Sequence, residues 1–356
     1  MTQNPARARS LGIAPGRFPA GPLNAITDVP GVRVGQVTVR RDPDLHTGVT
    51  AIVPEPLLER KALPAGLFVG NGYGKLVGAT QLAELGEIET PIVLTGTLSA
   101  FRAADALVSY MLALPGNERM LSVNPVVGET NDGFLSDIRS RPITERHVLE
   151  ALHGATGGPV AEGCVGAGTG TSALGFKAGM GTASRVVEVP EVRRDVTIGV
   201  LVQANFGGTL SVLGVPIETS SALAYAGLAE ANADVERGNS CMIVVATDAP
   251  LDSRQLTRVA TRAVFGMARV GADYSHGSGD YGIAFSVGQG APIPGRSMDP
   301  LFHAVQEAVE EAILNSLFMA TTTRGVDGHV RFAVPHGYVV KLLGGRGIQV
   351  SGADPD

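Results

Sequence analysis

The chain has 356 residues, of which 44% are apolar and only 17% charged, with a formal net charge of −6. That length supports one large α/β core or two smaller ones. An acidic balance without a Lys/Arg block argues against a nucleic-acid phosphate surface, and an aromatic content of 5% with no Trp argues against a base-stacking platform.

Residues 1–20 read as a flexible N-terminal arm, and residues 21–356 as a single domain. Pro and Gly interrupt every apolar stretch near Arg7, Arg9 and Arg17, so no signal-peptide core forms there. No run approaches the roughly 18 apolar residues of a spanning helix, so no membrane association is expected and the cytoplasm is the expected location. Cys164 and Cys241 make no disulfide framework, which fits a reducing compartment.

Strands are predicted at 36–39, 48–54, 65–70 and 91–95, each bounded by Gly or Pro. A helix follows from about Leu98 to Leu114, with Thr97 or Ser99 as its cap and Phe101, Ala104, Leu107, Val108 and Met111 on one face. Val196–Val202 reads as a strand. The Ala/Glu/Asn-rich stretch 219–237 reads as a mobile linker or loose helix. Then come a strand over 241–247, a helix over about 253–270, a strand over 281–286, and a long helix through Met319. Asp299 is the expected cap of that last helix and Pro300 its first residue. It is apolar around much of its circumference, which suits a helix covered inside the domain or at an interface.

Several standard signatures are missing. Gly70-Asn71-Gly72-Tyr73-Gly74-Lys75 has neither the spacing of a phosphate loop nor its Ser/Thr, and Gly166–Thr171 lacks the last Gly of a dinucleotide fingerprint. The seven His residues show no paired ligand spacing, and no Gly-x-Ser-x-Gly elbow exists. Neither a metal nor a cofactor is expected.

Polar groups set in Gly-rich or apolar surroundings remain. Gly238-Asn239-Ser240 abuts the apolar run 241–247, so a serine begins a buried strand. A cut before Ser240 would leave a free α-amine beside its own hydroxyl. With an unperturbed pKa of about 8, that amine can act as general base to the hydroxyl. Asn205 closes the preceding strand and is suited to an oxyanion. Ser278 and Asp280 lie two apart, so in an extended stretch they point the same way. Gly128–Phe134 places two acids and an amide (Glu129, Asp132 and Asn131) in an expected loop, suited to a substrate ammonium group. Each motif alone equally describes a turn.

Taken together and in their order along the chain, Thr-Asp-Val-Pro-Gly-Val-Arg-Val-Gly, Val-Gly-Glu-Thr-Asn-Asp-Gly, Gln-Ala-Asn-Phe-Gly-Gly, Gly-Asn-Ser-Cys-Met and Gly-Ser-Gly-Asp-Tyr resemble the self-processing aminopeptidases typified by L-aminopeptidase/D-alanine esterase-amidase, with the β-peptidyl aminopeptidases as relatives. The resemblance covers the chain from about residue 20 onward. It implies a four-layer αββα sandwich, like the N-terminal-nucleophile hydrolases but differently connected. It also implies self-cleavage between Asn239 and Ser240 into 1–239 and 240–356, with Ser240 as nucleophile and Asn205 in the oxyanion hole. Ser278 and Asp280 would orient the serine, and Glu129 would bind the substrate amine, with Asn131 and Phe134 as further substrate contacts. Expected substrates are small peptides, amino-acid amides or esters, and the expected assembly is a homo-oligomer, for which a tetramer of processed heterodimers is one form.

Two departures stand out. The β-peptidyl members carry Glu where Asp280 stands, which leans this chain toward the L-aminopeptidase side. Phe134 stands where that enzyme has Tyr, so a phenol hydrogen bond is absent. The alternatives are β-peptidyl specificity, a non-catalytic amino-acid-binding relative, and an acyltransferase like the ornithine acetyltransferases, which cut before Thr rather than Ser.

Overall fold

A computed structural model describes residues 4–228, 240–348 and 350 of the chain. Its frame is two sheets. The first has four strands: β1 (Val32–Arg41), β2 (Leu45–Pro54), β5 (Ile92–Gly96) and β6 (Val126–Thr130), in the order β1-β2-β5-β6. The second holds β3 (Leu63–Gly72), β4 (Glu87–Ile88), β9 (Met180–Val189), β10 (Arg194–Asn205), β11 (Ser240–Thr247) and β12 (Gly279–Ser286), in the order β4-β3-β12-β11-β10-β9. Between them in sequence, β7 (Ser172–Ala173) and β8 (Phe176–Lys177) form a small hairpin.

Strand period explains how the sheets stack, because alternate side chains face opposite sides. On β11, Met242, Val244 and Ala246 pack between the sheets with Ile52, Leu94, Val126 and Ile283. Cys241, Ile243 and Val245 face outward, onto the layer of α4 (Ser253–Gly266) and α5 (Asp299–Phe318). The outward residues of the first sheet, Val49, Ala51, Val93 and Val127, pack under α1 (Ala100–Ala113) and α2 (Glu145–His153). Three apolar layers thus join four structural ones, and the chain is an αββα sandwich. Two shorter helices, α3 (Thr219–Tyr225) and α6 (His336–Gly345), pack against each other at the periphery. No described helix is long and apolar enough to cross a membrane.

Three sequence expectations change. Residues 4–20 of the expected arm are tied to the body: Ala8 and Ile13 are fully buried, and the Arg9 guanidinium grips both oxygens of Glu311 on α5 at 2.7 and 2.9 Å. Phe101 lies 66% exposed, and the buried face of α1 runs through Ala103, Ala104, Leu107, Tyr110 and Met111 instead. Asp299 is already helical, so Met298 occupies the cap position without a side-chain bond. Of the stretch 219–237, residues 219–225 form α3, and 229–237 lie outside the described residues.

The long helix α5 is covered within the chain, so its apolar girth says nothing of an interface. It also carries a buried charge cluster that its sequence pattern hides. Fully buried Arg185 on β9 donates to Glu311 at 2.7 Å and Glu307 at 3.4 Å. Buried ions persist only when paired and hydrogen-bonded. The N-terminal segment supplies part of that pairing through Arg9 and Asn24, whose Nδ2 donates to Glu311 at 2.6 Å.

Candidate active site

Ser240 opens β11 at the centre of the six-stranded sheet and is 4% exposed. Pairing fixes its neighbours: Asn205, the last residue of antiparallel β10, lies opposite on one side, and Gly279, the first residue of parallel β12, on the other. Ser240 shares strand parity with Met242, so it belongs to the face between the sheets. Gly279 leaves little room for a side chain. A Cβ there would lie 3.2 Å from Ser240 Oγ and 3.0 Å from Gly74 Cα. The loop after β3 therefore closes directly onto the serine.

The Asn205 side chain is fully buried and held at both ends. Its Oδ1 accepts the Ser172 backbone N–H at 3.0 Å, and its Nδ2 donates to the Asn131 carbonyl at 3.1 Å. Because one partner is only a donor and the other only an acceptor, the orientation of the amide is fixed.

The Ser278 hydroxyl donates to Asp280 Oδ1 at 2.8 Å, as their spacing predicts. Burial raises the Asp280 carboxyl to about 6, the Ser278 bond opposes that rise, and the nearby charge of Asp273 adds to it. Its Oδ2 is buried without a well-placed hydrogen-bond partner, although the nearby Cys241 backbone N–H also favours the ionised carboxyl. Asp280 pairs in register with Cys241, whose thiol is pushed well above its usual range by burial and by that carboxylate.

Glu129 lies on β6 rather than in the solvated loop expected, and is 2% exposed. Parallel pairing with β5 makes it part of a buried strand, and its Oε1 accepts the Lys75 N–H at 2.7 Å. A Cβ on Gly74 would come within 3.2 Å of both Glu129 Oε1 and the Tyr281 hydroxyl. Glycine there lets the loop bring Glu129, Tyr281 and the serine end of β11 together. Burial, with Glu129 nearby, raises the Tyr281 phenol.

The other two expected contacts are engaged elsewhere. Asn131 Oδ1 accepts the Gly133 N–H at 2.9 Å in a local turn, so Asn131 contributes its backbone carbonyl to Asn205 instead. Phe134 stacks on His329 (4.3 Å between centroids, 4° between planes), with the Arg331 guanidinium 3.7 Å from its ring centroid. Asn239, the residue before the expected cut, lies outside the described residues.

A serine at the head of a central strand, in a sandwich of two sheets between helical layers, defines a hydrolase of the N-terminal-nucleophile fold class. The profile of peptidase family S58 matches residues 24–331, and the chain belongs to that family. It is accordingly a hydrolase, an aminopeptidase with an N-terminal serine nucleophile. It is 38% identical to a β-peptidyl aminopeptidase, BapA, of Sphingosinicella xenopeptidilytica, over 96% of this chain and 91% of the relative. Among solved structures it is similar to the PH0078 protein of Pyrococcus horikoshii OT3, with TM-score 0.87, 42% identity, and coverage of 97% of this chain and all of that one. It is also similar to the L-aminopeptidase D-Ala-esterase/amidase of Ochrobactrum anthropi, whose structure is described as a new variant of the Ntn hydrolase fold. There the TM-score is 0.85, identity 35%, and coverage 96% and 99%.

The sequence reading missed Tyr281 and the Lys75 N–H. Tyr281 stood inside one of the motifs, with its alternation against Asp280 as a usable signal. Lys75 acts through its backbone, which no side-chain pattern reveals.

Proposed function

We propose that this chain is a self-processing aminopeptidase and amidase that cleaves its own Asn239–Ser240 bond and then uses Ser240 on substrates. The observation that carries this reading is the register of β10, β11 and β12, which sets Asn205 and Gly279 on either side of Ser240, with the hydrogen-bonded Ser278–Asp280 pair flanking Gly279.

In the precursor, Ser240 Oγ adds to the Asn239 carbonyl, the peptide C–N bond breaks, and the freed nitrogen becomes the Ser240 α-amine. Water hydrolyses the resulting ester. In the processed enzyme that amine takes the Oγ proton as Oγ adds to the first carbonyl of a substrate. An N–H of Asn205 Nδ2 stabilises the oxyanion, a contribution worth about 3 kcal/mol of barrier. The proton passes to the leaving amine or alcohol, and water releases the acyl group. Asp280, held by Ser278, keeps the Ser240 amine and hydroxyl oriented, and Glu129 binds the substrate's free ammonium. Suitable substrates are small peptides, amino-acid amides and esters.

Intact mass under denaturing conditions tests the first half. The wild-type protein should give two species divided at 239/240, and Ser240→Ala one inactive chain. A cleaved or active Ser240→Ala sinks the mechanism. β-Peptidyl specificity is the second reading, favoured by the 38% identity to BapA. Hydrolysis rates of paired α- and β-aminoacyl p-nitroanilides decide between the two.

A further inference from the structure

Lys177 is fully buried, although an ammonium is among the most costly groups to take out of water. Its Nζ donates to three backbone carbonyls, those of Thr171 at 2.7 Å, Gly168 at 3.3 Å and Ala178. The Thr171 carbonyl belongs to the peptide group whose nitrogen is Ser172 N. That same N–H donates to Asn205 Oδ1 at 3.0 Å. One peptide plane therefore has a buried cation at its oxygen and the Asn205 amide at its hydrogen.

The hairpin bearing these groups is built to hold that plane against the end of β10. Ser172 and Lys177 pair across it. Its two turn residues, Leu174 and Gly175, both have positive φ, 55° and 82°, as a two-residue turn of this hand requires. For a leucine that conformation is strained, by about 1–3 kcal/mol. It is held by full burial of Leu174 and by a bond from its N–H to Phe206 O at 2.8 Å, one residue beyond Asn205. The opposite side of the Asn205 amide rests on Asn131 O, next to fully buried Asp132, a carboxylate that feels the charge of Lys177.

We propose that Lys177 is a positioning residue for the oxyanion donor: through the Thr171–Ser172 peptide it fixes and polarises the Asn205 amide. Hydrogen bonds in series polarise one another at low dielectric. An ammonium on the Thr171 oxygen sharpens the Ser172 N–H as a donor. That bond draws charge toward Asn205 Oδ1 and leaves the Nδ2 hydrogens more positive, where the developing oxyanion would meet them. The inference rests on the assignment of Asn205 in the proposed mechanism.

The test compares wild type, Lys177→Met and Lys177→Gln, with rates counted per processed chain as read by intact mass. Expected for Lys177→Met is a kcat lower by about 10- to 100-fold, below the on the order of 10²- to 10³-fold effect of removing an oxyanion donor outright. KM should stay within about threefold, since the substrate's ammonium site is untouched. An α-aminoboronic acid, which forms a tetrahedral adduct on Ser240, should weaken by the same factor as kcat, while a β-amino alcohol keeps its affinity. Lys177→Gln keeps donors without the charge and should fall between the two, and it serves alone if the Met variant is insoluble. Unchanged kcat and boronate affinity, or a rise in KM alone, overturns the proposal even if the protein is less stable, because a purely structural lysine gives that pattern. Asn205→Ala separates the two readings: if it processes and turns over like wild type, the oxyanion assignment itself has failed.

Discussion

Replacing Asp280 by Asn should stabilise the fold while abolishing activity. The carboxyl is fully buried, and its folded value is raised from 3.8 to about 6 by that burial. Below about pH 4 the folded and unfolded chains both hold the proton. Between about 4 and 6 only the folded chain does, and above 6 neither does. Ionised Asp280 therefore destabilises the fold, by an amount that grows from pH 4 to 6 and is constant above. Two pH units at 1.36 kcal/mol each give about 3 kcal/mol at neutral pH. The Asn Oδ1 still accepts from Ser278, but an NH₂ replaces the poorly partnered Oδ2 and returns about 1–2 kcal/mol of that gain. The net expectation is about 1–2 kcal/mol. Urea midpoints at pH 4.5, 6 and 7.5, taken in the uncleaved Ser240→Ala chain, measure it at constant m. The variant should match or slightly trail the parent at pH 4.5, draw ahead by pH 6 and hold a lead of about 1–2 kcal/mol at pH 7.5. A margin that is absent or reversed at pH 7.5 refutes the reasoning, since it means the buried carboxylate is compensated in the folded state.

Two further outcomes follow from the same geometry. Glu129→Gln keeps the acceptor for the Lys75 N–H but removes the charge facing a substrate ammonium, so KM for an amino-acid p-nitroanilide should rise by about 10- to 100-fold with a smaller change in kcat. Equal losses in kcat with KM unmoved would remove Glu129 from amine binding. Deleting residues 1–20 uncovers the sites of Ala8 and Ile13 and strips Arg9 from buried Glu311, which should lower stability by at least about 3 kcal/mol; an unchanged urea midpoint would restore the flexible-arm reading.

Much of this protein is written locally in its sequence. The strand after Ser240, the helices near 253 and 299, and the Ser278–Asp280 pair all follow from period-2 or period-3.6 spacing, because the contacts that define them lie within a few residues. The order of the polar motifs was enough to point to the family. Tertiary structure alone decided which of two compatible surroundings each residue received. Glu129 reads as a loop acid until parallel pairing with β5 makes it part of a buried strand. Phe101 reads as core until the α1–sheet contact settles on the alanine side of the helix. Arg9, Arg185 and Glu311 are spread over some 300 residues, and Lys177 is joined to Asn205 through the Thr171–Ser172 peptide. Sequence records side-chain type and spacing. Buried charges and backbone donors are satisfied by groups distant in the chain, and only the packed fold chooses those partners.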